Sequence, residues 1–414
     1  MQYRRIAALL AGLSLAASAF AATEIELSHQ LGTDSAEKLA RLAEQFNGLS
    51  KDFKVKVVRR ADGAAPSVLN LATREDVAEF VQQKAHFRPL AQVMSEAKEK
   101  FEPAKIAADL RVSVADAKGR LMALPVATTT PVLYYNKAAF KKAGLDPNNP
   151  PKTWWQVQDV AGKLFDAGMR CPFTTSWPAW IHIDNLSALN ASDVATPKGQ
   201  LTFNGLVQIK HIALLASWQK SEYFHYFGRR NEADRRFAAG ECGMLTSNAS
   251  LAPVLRESPA LDVGIAPLPY YDDVPGAPQH TLADGASLWV ADGRKPLEYK
   301  AAAKFVSFLL APDMQVELTR TGGFLPLTPV ARAVANSKLL GGDLEGLNVA
   351  YRQLKGEGAT HNLRVSQIEP VRIIIEEELE KVWAGQIPAK QALDNAVMRG
   401  NAVLPVALKN ANGG

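Results

Sequence analysis

Apolar residues recur along this chain with two periods, and the switches between them lay out an α/β protein. EIELSHQ (24–30) reads as a short strand, Leu39, Leu42, Ala43 and Phe46 recur at helical spacing, and FKVKVVRR (53–60) returns to a strand. This β-α-β opening predicts a lobe built on a parallel sheet. The next step is unusual, because only ADGAAP (61–66) leads to a second strand-like run, SVLNLA. A parallel crossover takes a dozen or more residues, normally a helix. Either these two strands are not parallel neighbours, or the crossover helix has been shortened away.

Beyond that, 74–83 and 90–98 read as helices and GRLMALPVA (119–127) as a strand pair. PVLYYNK (131–137) is a strand, AAFKKAG a helix stopped by Gly144, and NNPPKTW a loop before the helix at 155–168. HTLADGASLWVAD (280–292) is a strand containing a glycine, and LEYKAAAKFVSFLLA (297–311) a helix ended near Pro312. TRTGGFLPLTPVARAV holds a turn and a new helix, and the tail gives two more amphipathic helices at 370–385 and 388–404. No internal repeat interrupts the pattern.

The first 22 residues stand apart from it. Arg4 and Arg5 precede an apolar stretch from Ile6 to Ala17, and Ala19-Phe20-Ala21 offers small residues for cleavage, the layout of a secretory signal peptide. The remainder exceeds what one core usually serves, which predicts two lobes. It holds no run approaching the roughly 20 apolar residues of a membrane span. A protein outside the cytoplasm is therefore expected.

The formal charge of +5, or +3 without Arg4 and Arg5, is too mild to argue for nucleic acid. Pairs such as Arg59-Arg60 and Arg229-Arg230 read as solvated surface. Cys171 and Cys242 are the only cysteines. Export makes a disulfide between them plausible on neighbouring strands, though spacing alone leaves the bridge open.

Enzyme chemistry is poorly represented. The histidines at 29, 86, 182, 211, 225, 280 and 361 lack zinc-site spacing, and there is no HExxH, CxxC, nucleophile elbow or phosphate loop. No cofactor or metal is expected. Hydroxyls, glycines, tryptophans and an arginine at loops and strand ends instead suit the capture of a polar solute.

The stretch TPVLYYNKAAFKKAGLDPNNPPKTW resembles the periplasmic solute-binding proteins of ABC importers, and within them the sn-glycerol-3-phosphate-binding branch. Supporting matches are GMRCPFTTSWPAWIHIDN, QIKHIALL, GASLWV, TGGFLPLT and PVRIIIEEELEKVWAGQIPAKQALDNAVMRGN, so the similarity spans nearly the whole mature chain. The resemblance implies a type II periplasmic-binding-protein fold, α/β, with two lobes joined by hinge segments and ligand held between them. Its lobes would comprise 23–127 with 284–326, and 128–283 with 327–414. It also implies a non-enzymatic periplasmic monomer that delivers a small molecule to membrane permease subunits and binds no nucleic acid.

Carried over residue by residue, the resemblance assigns ligand contacts to Thr129, to Ser247 with Asn248 as alternative, to the backbone of Gly285, and to Arg372. A guanidinium grips phosphate with paired hydrogen bonds. The bland alternative for Arg372 is an ion pair with Glu376, four residues on along a helix. Trp154 is assigned to the cleft, while Trp177 and Trp180 are left undecided between cleft and core. Phe324 stands where the branch has a tyrosine, and Ser28 where it has a tryptophan. The branch's glutamate falls on Thr73 or Glu75, and its first tyrosine contact is lost with the missing crossover helix.

The expected ligand is sn-glycerol 3-phosphate or a glycerophosphodiester. A neutral sugar, polyol or oligosaccharide is the alternative, favoured by Asp284 beside Gly285, since a carboxylate suits hydroxyls and repels phosphate. An exported enzyme or a sensor's receptor subunit is the reading from a different class.

Overall fold

The computed structural model describes residues 22–411 except 74–75, 78, 81–82, 84, 112–113, 117–118, 197–198, 259–260 and 355–364. The expected leader lies outside them, apart from Ala22, and so do Glu75 and His361. Among the described residues ten strands form two sheets. They are β1 (Thr23–His29), β2 (Phe53–Arg59), β3 (Leu69–Ala72), β4 (Ala123–Thr129), β5 (Pro131–Asn136), β6 (Cys171–Thr175), β7 (Phe224–His225), β8 (Cys242–Asn248), β9 (Val263–Pro267) and β10 (Asp284–Val290).

The first sheet runs β2-β1-β3-β10-β4, with β1 parallel to β2 and β3 and β10 antiparallel to β3 and β4. The short crossover is thereby explained. β2 and β3 flank β1, so they are not neighbours, and residues 60–68 carry the chain across without a helix. Arg60 anchors this segment: it pairs with Asp76 at 2.6 Å and Glu79 at 2.9 Å and lies over the Phe80 ring. It is therefore buried rather than solvated.

Apolar faces close the first lobe. The helix Thr33–Leu49 packs on β2 and the helix Pro296–Leu310 on β1, and their Phe46 and Phe305 rings meet edge to face at 5.2 Å. Such contacts between large buried rings carry much of a core's transfer energy.

Only Thr130 separates β4 from β5, where the chain enters the second sheet, β7-β6-β8-β5-β9. Here β6 is parallel to β7 and β8, while β5 is antiparallel to β8 and β9. The Asn136 side chain accepts from the Ala139 N–H and so caps the helix Lys137–Lys142. Gly144, at φ +70°, lets the chain leave it. Thr153 caps the helix Trp154–Asp166 in the same way.

Phe173 on β6 centres the second core, meeting Trp154, Trp218 and Phe224 at 6.1, 6.0 and 5.6 Å. The helices Val365–Trp383 and Ala389–Ala411 pack on each other and on Leu206–Lys220. Cys171 and Cys242 face each other in register on β6 and β8 and form the disulfide, with Cα atoms 4.5 Å apart. No helix among the described residues is long and apolar enough to cross a membrane.

Candidate functional site

In open α/β sheets, ligands gather at the carboxyl ends of the parallel strands. In the first sheet these ends are His29 on β1 and Ala72 on β3, and β10, being antiparallel to β3, begins at the same edge with Asp284 and Gly285. In the second sheet they are Thr175 on β6 and Asn248 on β8. The two edges are stitched together at the crossing. The Ser250 N–H, just past β8, donates to Thr129 Oγ1 at 3.1 Å, and the Leu325 N–H donates to the Thr128 carbonyl at 2.8 Å.

Arg372, on the helix Val365–Trp383, reaches into this crossing. Its Nη2 lies 2.6 Å from Asp184 Oδ2, its Nη1 2.7 Å from Asp284 Oδ2, and its Nη1 3.8 Å from Glu369. Burial works against the guanidinium charge, but Asp184, Asp284 and Glu369 outweigh it and raise the pKa above the usual arginine value. The expected alternative pairing with Glu376 is not made. Glu376 is buried, and desolvation, opposed first by Arg230 and also by Arg372, pushes its carboxyl up to about 7.

Thr129 and Gly285 converge with Arg372 around Asp284, which faces Thr129 across the β4–β10 pair. The Gly285 backbone, at φ +146°, passes so close to β4 that an added Cβ would lie 1.9 Å from the Ala127 carbonyl oxygen. Only glycine fits there. Phe324 is half-buried beside the crossing, after the helix Pro312–Gly322 ends on left-handed Gly323.

Ser247 and Trp154 lie among buried partners of the second lobe. Ser247 is fully buried, and its hydroxyl donates to Asp234 Oδ1 at 2.8 Å, beside a second donation from Ser176 at 2.6 Å. Burial pushes the Asp234 carboxyl up to about 6 even against these two bonds. Asn248, the alternative to Ser247, is half-buried, and its side-chain oxygen accepts from the Ser250 hydroxyl. Trp154 is fully buried in the second core, packed on His211 at 4.6 Å and His182 at 5.5 Å, and does not reach the crossing. It shares the buried face of its helix with Val157, Ala161 and Leu164, while the neighbouring Trp155 is exposed, and an indole there fills volume. Trp180 is likewise buried, with Ile181, Leu189 and Leu268, whereas half-buried Trp177 lies under the Arg230 guanidinium at 5.8 Å.

Of the carboxylates that surround Arg372, Asp284 stood out in the sequence by its place beside Gly285, whereas Asp184 and Glu369 carried no such signal. Asp184 lies on a π-helical turn, Trp180–Asn185, and lines a recess of about 180 Å³ with Ser187, Ser192, His280 and Leu282. Arg230 joins Glu369 at 3.3 Å, and Arg229 joins Glu380, so the pair read as solvated surface is part of an ion network. In the first lobe, Thr73 Oγ1 donates to Asp76 at 2.9 Å, and Ser28 Oγ donates to Asn70 at 2.8 Å.

Two α/β lobes exchanging chain at their junction, with a buried polar cluster where the sheet edges meet, define a two-lobed binding protein. The chain belongs to the bacterial extracellular solute-binding proteins, whose family model matches residues 41–339. It is 36% identical over 426 residues to the sn-glycerol-3-phosphate-binding periplasmic protein UgpB of Pectobacterium atrosepticum, covering 97% of this chain and 96% of that one. It is 35% identical to the protein of that name from Salmonella typhimurium, covering 96% of each. Among solved structures, UgpB from Mycobacterium tuberculosis in complex with glycerophosphocholine superposes with a TM-score of 0.76 at 18% identity, covering 94% of this chain and all of that one. The cyclic alpha-maltosyl-1,6-maltose binding protein from Arthrobacter globiformis gives 0.73 at 19% identity, covering 93% and 99%. The fold is thus that of a two-lobed, type II periplasmic binding protein.

Proposed function

We propose that this chain is the periplasmic binding component of an ABC importer, capturing sn-glycerol 3-phosphate or a glycerophosphodiester between its lobes for delivery to the permease. The observation that carries this reading is the full-length likeness to proteins named for sn-glycerol 3-phosphate, together with Thr129, Gly285 and Arg372 converging at the crossing. The lobes are 23–127 with 284–326, and 128–283 with 327–414. Ligand touching both lobes stabilises the closed form, which the permease recognises. The protein works as a monomer, makes no covalent change to its ligand and binds no nucleic acid.

A second reading, a neutral sugar or polyol, is favoured by one observation: three carboxylates already surround Arg372. A thermal-shift titration separates the two. On the main reading millimolar sn-glycerol 3-phosphate raises the melting temperature, uncharged polyols do not, and Arg372→Lys, which keeps the charge but not the paired geometry, loses most of the shift. Stabilisation by uncharged sugars alone would overturn it.

A further inference from the structure

Two donors at the crossing end on one internal carboxylate. The Gly285 N–H donates to Asp284 Oδ1 at 2.7 Å, and Arg372 Nη1 donates to Asp284 Oδ2 at 2.7 Å. Asp284 thus lies between a backbone N–H and a guanidinium as an incoming oxyanion would, one oxygen to each donor. It opens β10, with its side chain 15% exposed, whereas the Asp184 and Glu369 side chains are 4% and 3% exposed. Of the three carboxylates on Arg372 it is the one with room to turn toward water.

Charge decides what this does to selectivity. Arg372 is already matched against Asp184 and Glu369, so a ligand anion beside it meets carboxylates as well as a cation. A phosphomonoester carries about −1.5 to −2 near neutral pH and a phosphodiester −1, so the penalty from Asp284 falls more heavily on the monoester.

We propose that Asp284 determines specificity in the cleft: it occupies the Gly285 N–H and Arg372 as a stand-in anion, and it disfavours phosphomonoesters relative to phosphodiesters. This rests on the reading above that the ligand carries phosphate. A phosphorylated ligand displaces the Asp284 carboxylate from Arg372, and the remaining repulsion between the two grows with ligand charge.

The test is calorimetric titration of the mature wild-type protein, Asp284→Asn and Asp284→Glu with sn-glycerol 3-phosphate and glycerophosphoglycerol, a diester whose only charge is the phosphate's −1. The expected wild type binds the diester about tenfold or more tightly than the monoester, and Asp284→Asn gains on the monoester until the two agree within about threefold. Asp284→Glu, which restores the charge, returns toward the wild-type ratio and controls for damage to folding. An Asn variant whose ratio equals that of wild type, or one that loses affinity for the monoester, overturns the inference while leaving the phosphate reading intact. Folded proteins that bind neither compound overturn both.

Discussion

His182 Nδ1 stands 2.8 Å from His211 Nε2 inside the second lobe, and His211 Nδ1 is 2.9 Å from the Tyr271 hydroxyl. Both imidazoles are fully buried against Trp154. Desolvation lowers the His182 pKa to about 3, and desolvation reinforced by His182 lowers that of His211 well below the usual value. The unfolded chain therefore takes up protons below about pH 6.5 that the folded protein refuses, so stability is intact above that pH and falls as pH drops. The expected slope is up to about 1.4 kcal/mol per pH unit for each histidine. Glu376, raised to about 7, works the other way, losing stability as pH rises from the ordinary carboxylate range through 7. Denaturant unfolding between about pH 5 and pH 8 should show a shallower acid slope in His211→Gln and a steeper one in Glu376→Gln. Parallel curves for all three proteins would contradict the assignment.

The Cys171–Cys242 bridge closes a loop with a sequence separation of 71. Loop-closure entropy puts its contribution at up to about 4 kcal/mol. The double variant Cys171→Ala, Cys242→Ala should unfold at correspondingly lower denaturant, and reductant should shift wild type but not the variant. A wild type indifferent to reductant under unfolding conditions would mean that the bridge is not formed.

Gly285 has no substitute in its conformation. Alanine there would meet the Ala127 carbonyl and adopt a φ of +146°. Gly285→Ala should lose about 2 kcal/mol or more of unfolding free energy as the β4–β10 pair gives way. Gly293→Ala, at φ +72° with nothing near its Cβ, should lose only about 1 kcal/mol from strain alone. Equal losses measured by urea unfolding would show that crowding at Ala127 is not the cause.

Local pattern was sufficient for the elements. Alternating runs became β1 and β2, continuous apolar runs became β5 and β10, and helical spacing became the helices at Thr33–Leu49, Trp154–Asp166 and Pro296–Leu310, because a side chain's face depends on its immediate neighbours. The capping residues Asn136 and Thr153 and the stop at Gly144 sit within a few residues of the ends they set. The solute-binding family was legible too, in motifs spread along the chain.

The site was legible only in part. Thr129, Gly285 and Arg372, assigned to the ligand by resemblance, lie together at the crossing, and Arg372 finds Asp184 and Asp284 at sequence separations of 188 and 88, beyond the reach of any periodicity. Trp154 and Ser247 carry the right chemistry but point into the second lobe's interior, toward His211 and Asp234. Sequence by itself determined the strands, the helices and the family, since these follow from short-range sterics and from patterns read in order. Tertiary structure alone decided which carboxylates neutralise the arginine and which polar groups face the crossing, because those partners are chosen by how two sheets dock.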